Sequence, residues 1–250
     1  MKKEIIVKFK RFFVKNIPLQ VGTSYELGRD HYNYMINVIR LKQNGQLILC
    51  NNTGYDFLCS LEEIEKNKVI IKVLEKNINK KEARVNLTVC QALVKNDKFE
   101  LIAQKITELG ASGLIGFESK FTAVKAKTNK LDRLEKITEN ASRQCGRANT
   151  LKINKVVKID VLPELLKGYD LVLLAYENNK NSLKEVLKNK TPKNIAIIIG
   201  SEGGFTNEEA LVLEKEIKNL KTVSLGKRIL RAETASIALA GIVMYELGEI

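Results

Sequence analysis

The sequence contains a single histidine, His31, and four cysteines, Cys50, Cys59, Cys90 and Cys145, with no Cys-x-x-Cys pair. One histidine excludes any metal centre that needs two. Scattered thiols argue against a zinc site or a disulfide framework and read as small buried residues of a reducing compartment. No apolar run suffices for a membrane helix: the longest, Ala235 to Tyr245, falls short of the roughly 20 residues required. The basic opening is interrupted by Glu4, Lys8, Lys10 and Arg11, so a signal peptide is not expected and a cytoplasmic location is. Internal repeats and low-complexity stretches are absent. Acidic residues are also in deficit: 29 Asp and Glu against 42 Lys and Arg leave a net charge of +13. Such an excess favours a polyanionic partner, because neutralised phosphates release their condensed counterions. A soluble protein that is merely basic is the competing reading, and charge alone does not separate the two.

What is present divides into two rhythms. From Ile5 to about Leu74 the chain reads as short strands and turns (IIVKF, QLILC, YDFLC, VIIKVL), with Asn51-Asn-Thr-Gly54 as a hairpin signal between the second and third. One short helical pattern, His31 to Ile39, places Tyr32, Met35, Ile36 and Ile39 on one face. The expectation is a small β-rich domain over residues 1–74, a barrel, followed by a polar linker at 75–83. Beyond it, the apolar runs VNLTVCQAL, LIGF, DLVLLAY, NIAIIIG and TVSLG alternate with helical patterns at 98–109, 129–147, 181–189, 207–219 and 232–247. That alternation predicts a parallel sheet covered by helices over 75–250. The nearly unbroken IAIII is what a strand buried on both faces requires. Ligands of such sheets sit beyond the carboxyl ends of the strands, which directs attention to the loops after LVLLAY, IAIIIG and TVSLG.

Ile199-Gly-Ser-Glu-Gly-Gly-Phe-Thr206 lies between a buried strand and a helix whose start is marked by a capping box, Thr206 with Glu209. Its glycines permit close approach of backbone to a ligand. It is neither a Walker A loop, lacking Gly-Lys-Ser/Thr, nor a G-x-G-x-x-G fingerprint. A ligand-free tight turn is the plain alternative. Leu225-Gly-Lys-Arg-Ile-Leu-Arg-Ala-Glu-Thr-Ala-Ser236 also follows a strand and enters a helix. Arg228 and Arg231 crowd a helix N-terminus, where the macrodipole disfavours positive charge. An internal Arg–Glu pair through Glu233, or an anionic substrate, answers that cost.

These two segments, with Lys105-Ile-Thr-Glu-Leu-Gly, Arg143-Gln-Cys-Gly-Arg and His31…Val38-Ile-Arg-Leu-Lys42, resemble the RsmE-type 16S rRNA uridine-N3 methyltransferases nearly end to end and in order. The resemblance implies an N-terminal PUA-like β-barrel that binds RNA and a C-terminal SPOUT α/β domain with a deep trefoil knot. It also implies a homodimer, 16S rRNA of the small ribosomal subunit as substrate, and S-adenosylmethionine as cofactor. The cofactor loops it implies are Leu174, Ala175, Tyr176 and Glu177; Ile199, Gly200, Glu202, Gly203 and Gly204; and Leu225, Gly226, Ile229 and Leu230. Ser201 stands where the family's usual Gly-Pro-Glu-Gly-Gly has proline, so a less rigid loop is expected, and the proline often found after the segment ending at Arg147 is missing.

Chemistry assigns the remaining roles. Uracil N3 becomes a nucleophile only when its proton leaves, and the anion spreads onto O2 and O4. Arg231 and Arg228 are therefore the expected stabilising cations, and Glu233 either accepts the proton or holds an arginine. For RNA, Arg133, Lys136, Asn140, Arg143 and Arg147 recur at helical spacing beside an apolar stripe of Leu131, Leu134, Thr138, Ala141 and Cys145. A solvated face is the usual explanation of such a stripe, but Lys120, Lys125, Lys127 and Lys130 precede it. The expected phosphate contacts are Lys10, Arg11, Arg40, Lys42, Lys125, Lys127, Arg133, Arg143 and Arg147. A non-catalytic ribosome-assembly factor and a methyltransferase of the same fold acting on another base remain as alternatives.

Overall fold

The structure, a computed structural model, describes residues 9–124, 131–176 and 182–250. These divide into two units, one formed by the chain up to Glu82 together with Arg143–Asn149, the other by Ala83–Ser142 and Thr150–Ile250.

The first unit is a five-stranded sheet of order β1-β3-β4-β5-β2. Its strands are β1 (Arg11–Phe13), β2 (Ser24–Leu27), β3 (Gln46–Cys50), β4 (Tyr55–Glu65) and β5 (Lys68–Ile78). The hairpin signal at 51–54 joins β3 to antiparallel β4, with Asn52 and Gly54 at φ of 61° and 79°. Strand β5 runs to Ile78, so the first residues of the stretch read as linker are strand. The IIVKF run lies mostly outside the described residues, and β1 begins at Arg11. The short helix begins as α1 (Arg29–Tyr32) and continues as a π-helical turn, Asn33–Val38. Met35 is fully buried and Tyr32, Ile36 and Ile39 pack around the same core, as their spacing predicts. His31 Nε2 lies 3.1 Å from the Phe13 carbonyl, a structural role.

Two arginines expected to face RNA belong instead to this unit's interior. Arg11 forms a two-pronged ion pair with Asp56, one arm at 2.8 Å, and Asn79 donates to the same carboxylate at 2.8 Å. Arg147, 4% exposed, contacts Glu82 at 3.2 Å, and the other Glu82 oxygen accepts the backbone N–H groups of Ala148 (2.7 Å) and Asn149 (2.8 Å). Burial of a guanidinium requires such a partner, so both are engaged within the unit.

Burial alone would raise the Asp56 carboxyl, but the hydrogen bonds from Arg11 and Asn79 outweigh it and hold it below the ordinary aspartate range. A depressed carboxylate contributes stability that is present above its unfolded value, about pH 3.9, and lost as pH falls through the folded value. Asp56→Asn is expected to cost about 3 kcal/mol at neutral pH, the lower end for breaking a buried pair. The difference in melting temperature between the variant and wild type should shrink below about pH 4. A pH-independent difference in melting scans would remove Asp56 from this account.

The second unit is a six-stranded, all-parallel sheet of order β11-β9-β10-β6-β7-β8. Its strands are β6 (Asn86–Ala92), β7 (Gly113–Glu118), β8 (Lys152–Lys158), β9 (Leu171–Ala175), β10 (Asn194–Ile199) and β11 (Leu220–Val223). Its helices are α2 (Asn96–Glu108), α3 (Leu131–Cys145, which ends in the first unit's segment), α4 (Leu162–Leu165), α5 (Leu183–Leu187), α6 (Asn207–Glu216) and α7 (Ala232–Glu246). Side chains of β6 and β10 alternate between two cores. Leu87, Val89, Ile195 and Ile197 pack with α2 and α7; Cys90, Ala196 and Ile198 pack with Leu213 and Ile217 of α6 and its C-cap. Burial on both faces explains why IAIII carries no polar residue. Strand β8 was not expected. Its KINKVVK places three lysines in an edge strand, where charge is tolerated and hydrophobic periodicity is weak.

Candidate active site

In a parallel sheet the strand ends β9, β10 and β11 open on one side, and these three strands are neighbours. The loops that follow them line a cavity of about 530 Å³, within the usual range for small-molecule sites. All the expected cofactor residues except Leu174 and Glu177 are among its lining, as are Arg228 and Arg231. Leu174 is fully buried in the core instead, because β9 continues through it before the loop begins. Glu177 lies outside the described residues. Ile229 stands at the rim with 87% of its surface exposed.

The glycine loop is held from several sides. Thr206 caps α6 in the expected box: its hydroxyl accepts from Glu209 N at 3.1 Å while Glu209 accepts from Thr206 N at 3.0 Å. Gly204 adopts φ of +69°, a conformation that favours glycine. A Cβ on Gly203 would stand 2.7 Å from Phe121 Cβ, so only glycine fits. Ser201, expected to loosen the loop, is buried and donates to the Phe121 carbonyl at 3.1 Å, a tether that proline cannot supply.

Two braces come from residues with no local sequence signal. Gln91, fully buried at the end of β6, donates to the carbonyls of Gly200 (3.1 Å) and Ala92 (2.9 Å), and its oxygen accepts from the Ser236 hydroxyl of α7. Lys98 of α2 places its ammonium 3.0 Å from Glu202 Oε1 and 3.5 Å from Glu233 Oε2. Burial would raise the Glu202 carboxyl, yet its own backbone N–H and Lys98 hold it below the ordinary range, while the bond to Glu202 raises Lys98.

Glu233 is thus paired with Lys98 and, among the described residues, with no arginine, which corrects the expectation that it holds one. Arg231 is the N-cap of α7, and both Arg228 and Arg231 are exposed and without an ion-pair partner among the described residues. Two cations held at a helix N-terminus without a carboxylate are electrostatically unfavourable on their own and complementary to an incoming anion.

The other basic candidates separate. Lys10, Arg40 and Lys42 are exposed in the first unit. Arg133 pairs with Glu100 at 2.7 Å on the surface of the second. The Arg143 guanidinium stacks on the Tyr34 ring at 4.8 Å. Lys125 and Lys127 lie outside the described residues.

Comparison with known proteins agrees with this geometry. Residues 81–244 match the family described as "RNA methyltransferase domain", and residues 27–74 match "RNA methyltransferase PUA domain". The chain is 35% identical to ribosomal RNA small subunit methyltransferase E of Rickettsia conorii, covering 92% of this chain and 93% of the relative. It is 28% identical to the protein of that name from Bacillus subtilis, over 95% and 96%. Among solved structures it resembles a ribosomal RNA small subunit methyltransferase E from Neisseria gonorrhoeae bound to S-adenosyl methionine. That likeness has a TM-score of 0.82 and 25% identity, and covers 95% of this chain and 97% of that one.

Proposed function

The chain belongs to the RNA methyltransferase family, and from that premise we propose that it uses S-adenosylmethionine to methylate N3 of a uridine in 16S rRNA of the small ribosomal subunit. The observation that carries this reading is the cavity lined by the glycine loop and by two exposed arginines that have no ion-pair partner among the described residues. Bound S-adenosylmethionine supplies an electrophilic methyl group on a sulfonium. The chain's own contribution is placement and electrostatics. Backbone groups of the glycine and arginine loops, with the apolar Ile199, Leu225 and Leu230, line the cavity and would hold the donor. In-line displacement requires the acceptor nitrogen behind the methyl carbon, and orientation of that kind supplies much of the barrier reduction. In this reading Arg231 and Arg228, which line the cavity, stabilise the charge that gathers on uracil O2 or O4 as N3 gives up its proton to solvent.

By the same family likeness, the first unit forms a PUA-like barrel that binds RNA and the second a SPOUT domain with a trefoil knot, working as a homodimer in the cytoplasm. Lys10, Arg40, Lys42, Arg133 and Arg143 remain as phosphate contacts among the described residues. Surface pairs such as Arg133–Glu100 are weak enough for a phosphate to replace the carboxylate. With about five phosphate contacts, RNA affinity is expected to fall roughly a hundredfold between 50 and 200 mM salt. A flat salt titration would remove these residues from the reading. Calorimetry with S-adenosylmethionine tests the catalytic part: saturable binding is expected, and no heat at millimolar ligand would leave an RNA-binding assembly factor.

A further inference from the structure

Lys98 and Gln91 both issue from the β6–α2 segment and both join the same two elements, the glycine loop and the first turns of α7. Gln91 does so through neutral hydrogen bonds and is fully buried. Lys98 does so by charge, its ammonium lying between two carboxylates with 19% of its side chain exposed. Glu202 sits on the loop that lines the donor cavity, and Glu233 lies two residues past Arg231. The glycine loop and the first turns of α7 are therefore both tied to a third element.

We infer that Lys98 is a positioning residue of the methyl transfer, clamping the glycine loop through Glu202 to the arginine-bearing end of α7 through Glu233. This rests on the reading of the cavity as the methyl-transfer site. Lys98 does not line the cavity; it acts through the two carboxylates it holds. A lysine suits the task because one compact ammonium serves two acceptors at once. Without it, two like charges face each other and the loops part, and misplacement of reacting groups by about 1 Å costs on the order of a hundredfold in rate.

The test uses the full chain with Lys98→Met, Lys98→Arg, Glu202→Gln and the Lys98→Met/Glu202→Gln pair. Lys98→Met is expected to lower kcat at least about tenfold with KM for RNA within about threefold. Lys98→Arg should recover most of that loss. The pair should be no slower than Lys98→Met, because residues acting through one contact are non-additive. Wild-type kcat in Lys98→Met, or additive losses in the pair, overturns the inference.

A readout independent of the reaction is backbone amide exchange over 200–206 and 231–236 in the ligand-free protein. Exchange should quicken about tenfold or more in Lys98→Met and return in Lys98→Arg. If wild type methylates nothing, the functional reading fails while the exchange data still decide whether the brace exists. Should Lys98→Met not fold, Glu202→Gln, at a side chain 44% exposed, carries the exchange test, and unchanged exchange there contradicts the clamp.

Discussion

Replacing Arg231 by alanine is expected to slow methyl transfer about a hundred- to a thousandfold, roughly 3–4 kcal/mol, the scale of losing one preorganised donor at a developing oxyanion. Affinity for S-adenosylmethionine should stay within about threefold, since the donor is cationic at sulfur and is enclosed by the loops' backbone and apolar groups. The argument is electrostatic. Arg231 is the N-cap of α7, exposed, and without a carboxylate among the described residues, whereas Glu233, two residues on, is engaged by Lys98. A cation left unanswered at the positive end of a helix is poised for charge that appears only in the transition state. Arg228→Ala should cost less, roughly ten- to fiftyfold, because no cap geometry fixes its place. Single-turnover assays separate the step from binding; an Arg231→Ala enzyme with wild-type turnover removes the residue from the mechanism.

Gly203→Ala is expected to weaken S-adenosylmethionine binding by about ten- to a hundredfold, equivalent to roughly 1–3 kcal/mol of strain or displacement. The added Cβ would meet Phe121 Cβ at 2.7 Å, and Phe121 is held by the Ser201 hydroxyl on its carbonyl. Neither side yields freely. The loop must shift toward the cavity it lines, while β10 and the capped α6 on its flanks keep the fold intact. Calorimetry together with far-ultraviolet circular dichroism checks both halves. Unaltered affinity with an unaltered spectrum would show that the loop does not touch the donor.

The elements that could be read from sequence were those whose cause is local. The unbroken IAIII announced a doubly buried strand, and Thr206 with Glu209 marked the start of α6 to the residue. Strand β8 carries no such signal, because its edge position removes the need for the hydrophobic pattern of a strand. Arg11 and Arg147 looked like RNA contacts because their partners, Asp56 and Glu82, lie 45 and 65 residues away and no spacing rule reaches that far. The same distance hid Lys98 and Gln91, whose partners in the glycine loop are 104 and 109 residues on. Loops at strand ends can be located from alternation alone; what fixes them in place is tertiary and became visible only in the structure.

The most direct measurement is to incubate the purified protein with small ribosomal subunits lacking the modification and isotopically labelled S-adenosylmethionine, then to digest the 16S rRNA and identify the labelled nucleoside by mass spectrometry. The account predicts label in N3-methyluridine alone, at about one per subunit, and its loss with Arg231→Ala. Label in any other nucleoside, or none under conditions where the donor binds, would contradict it.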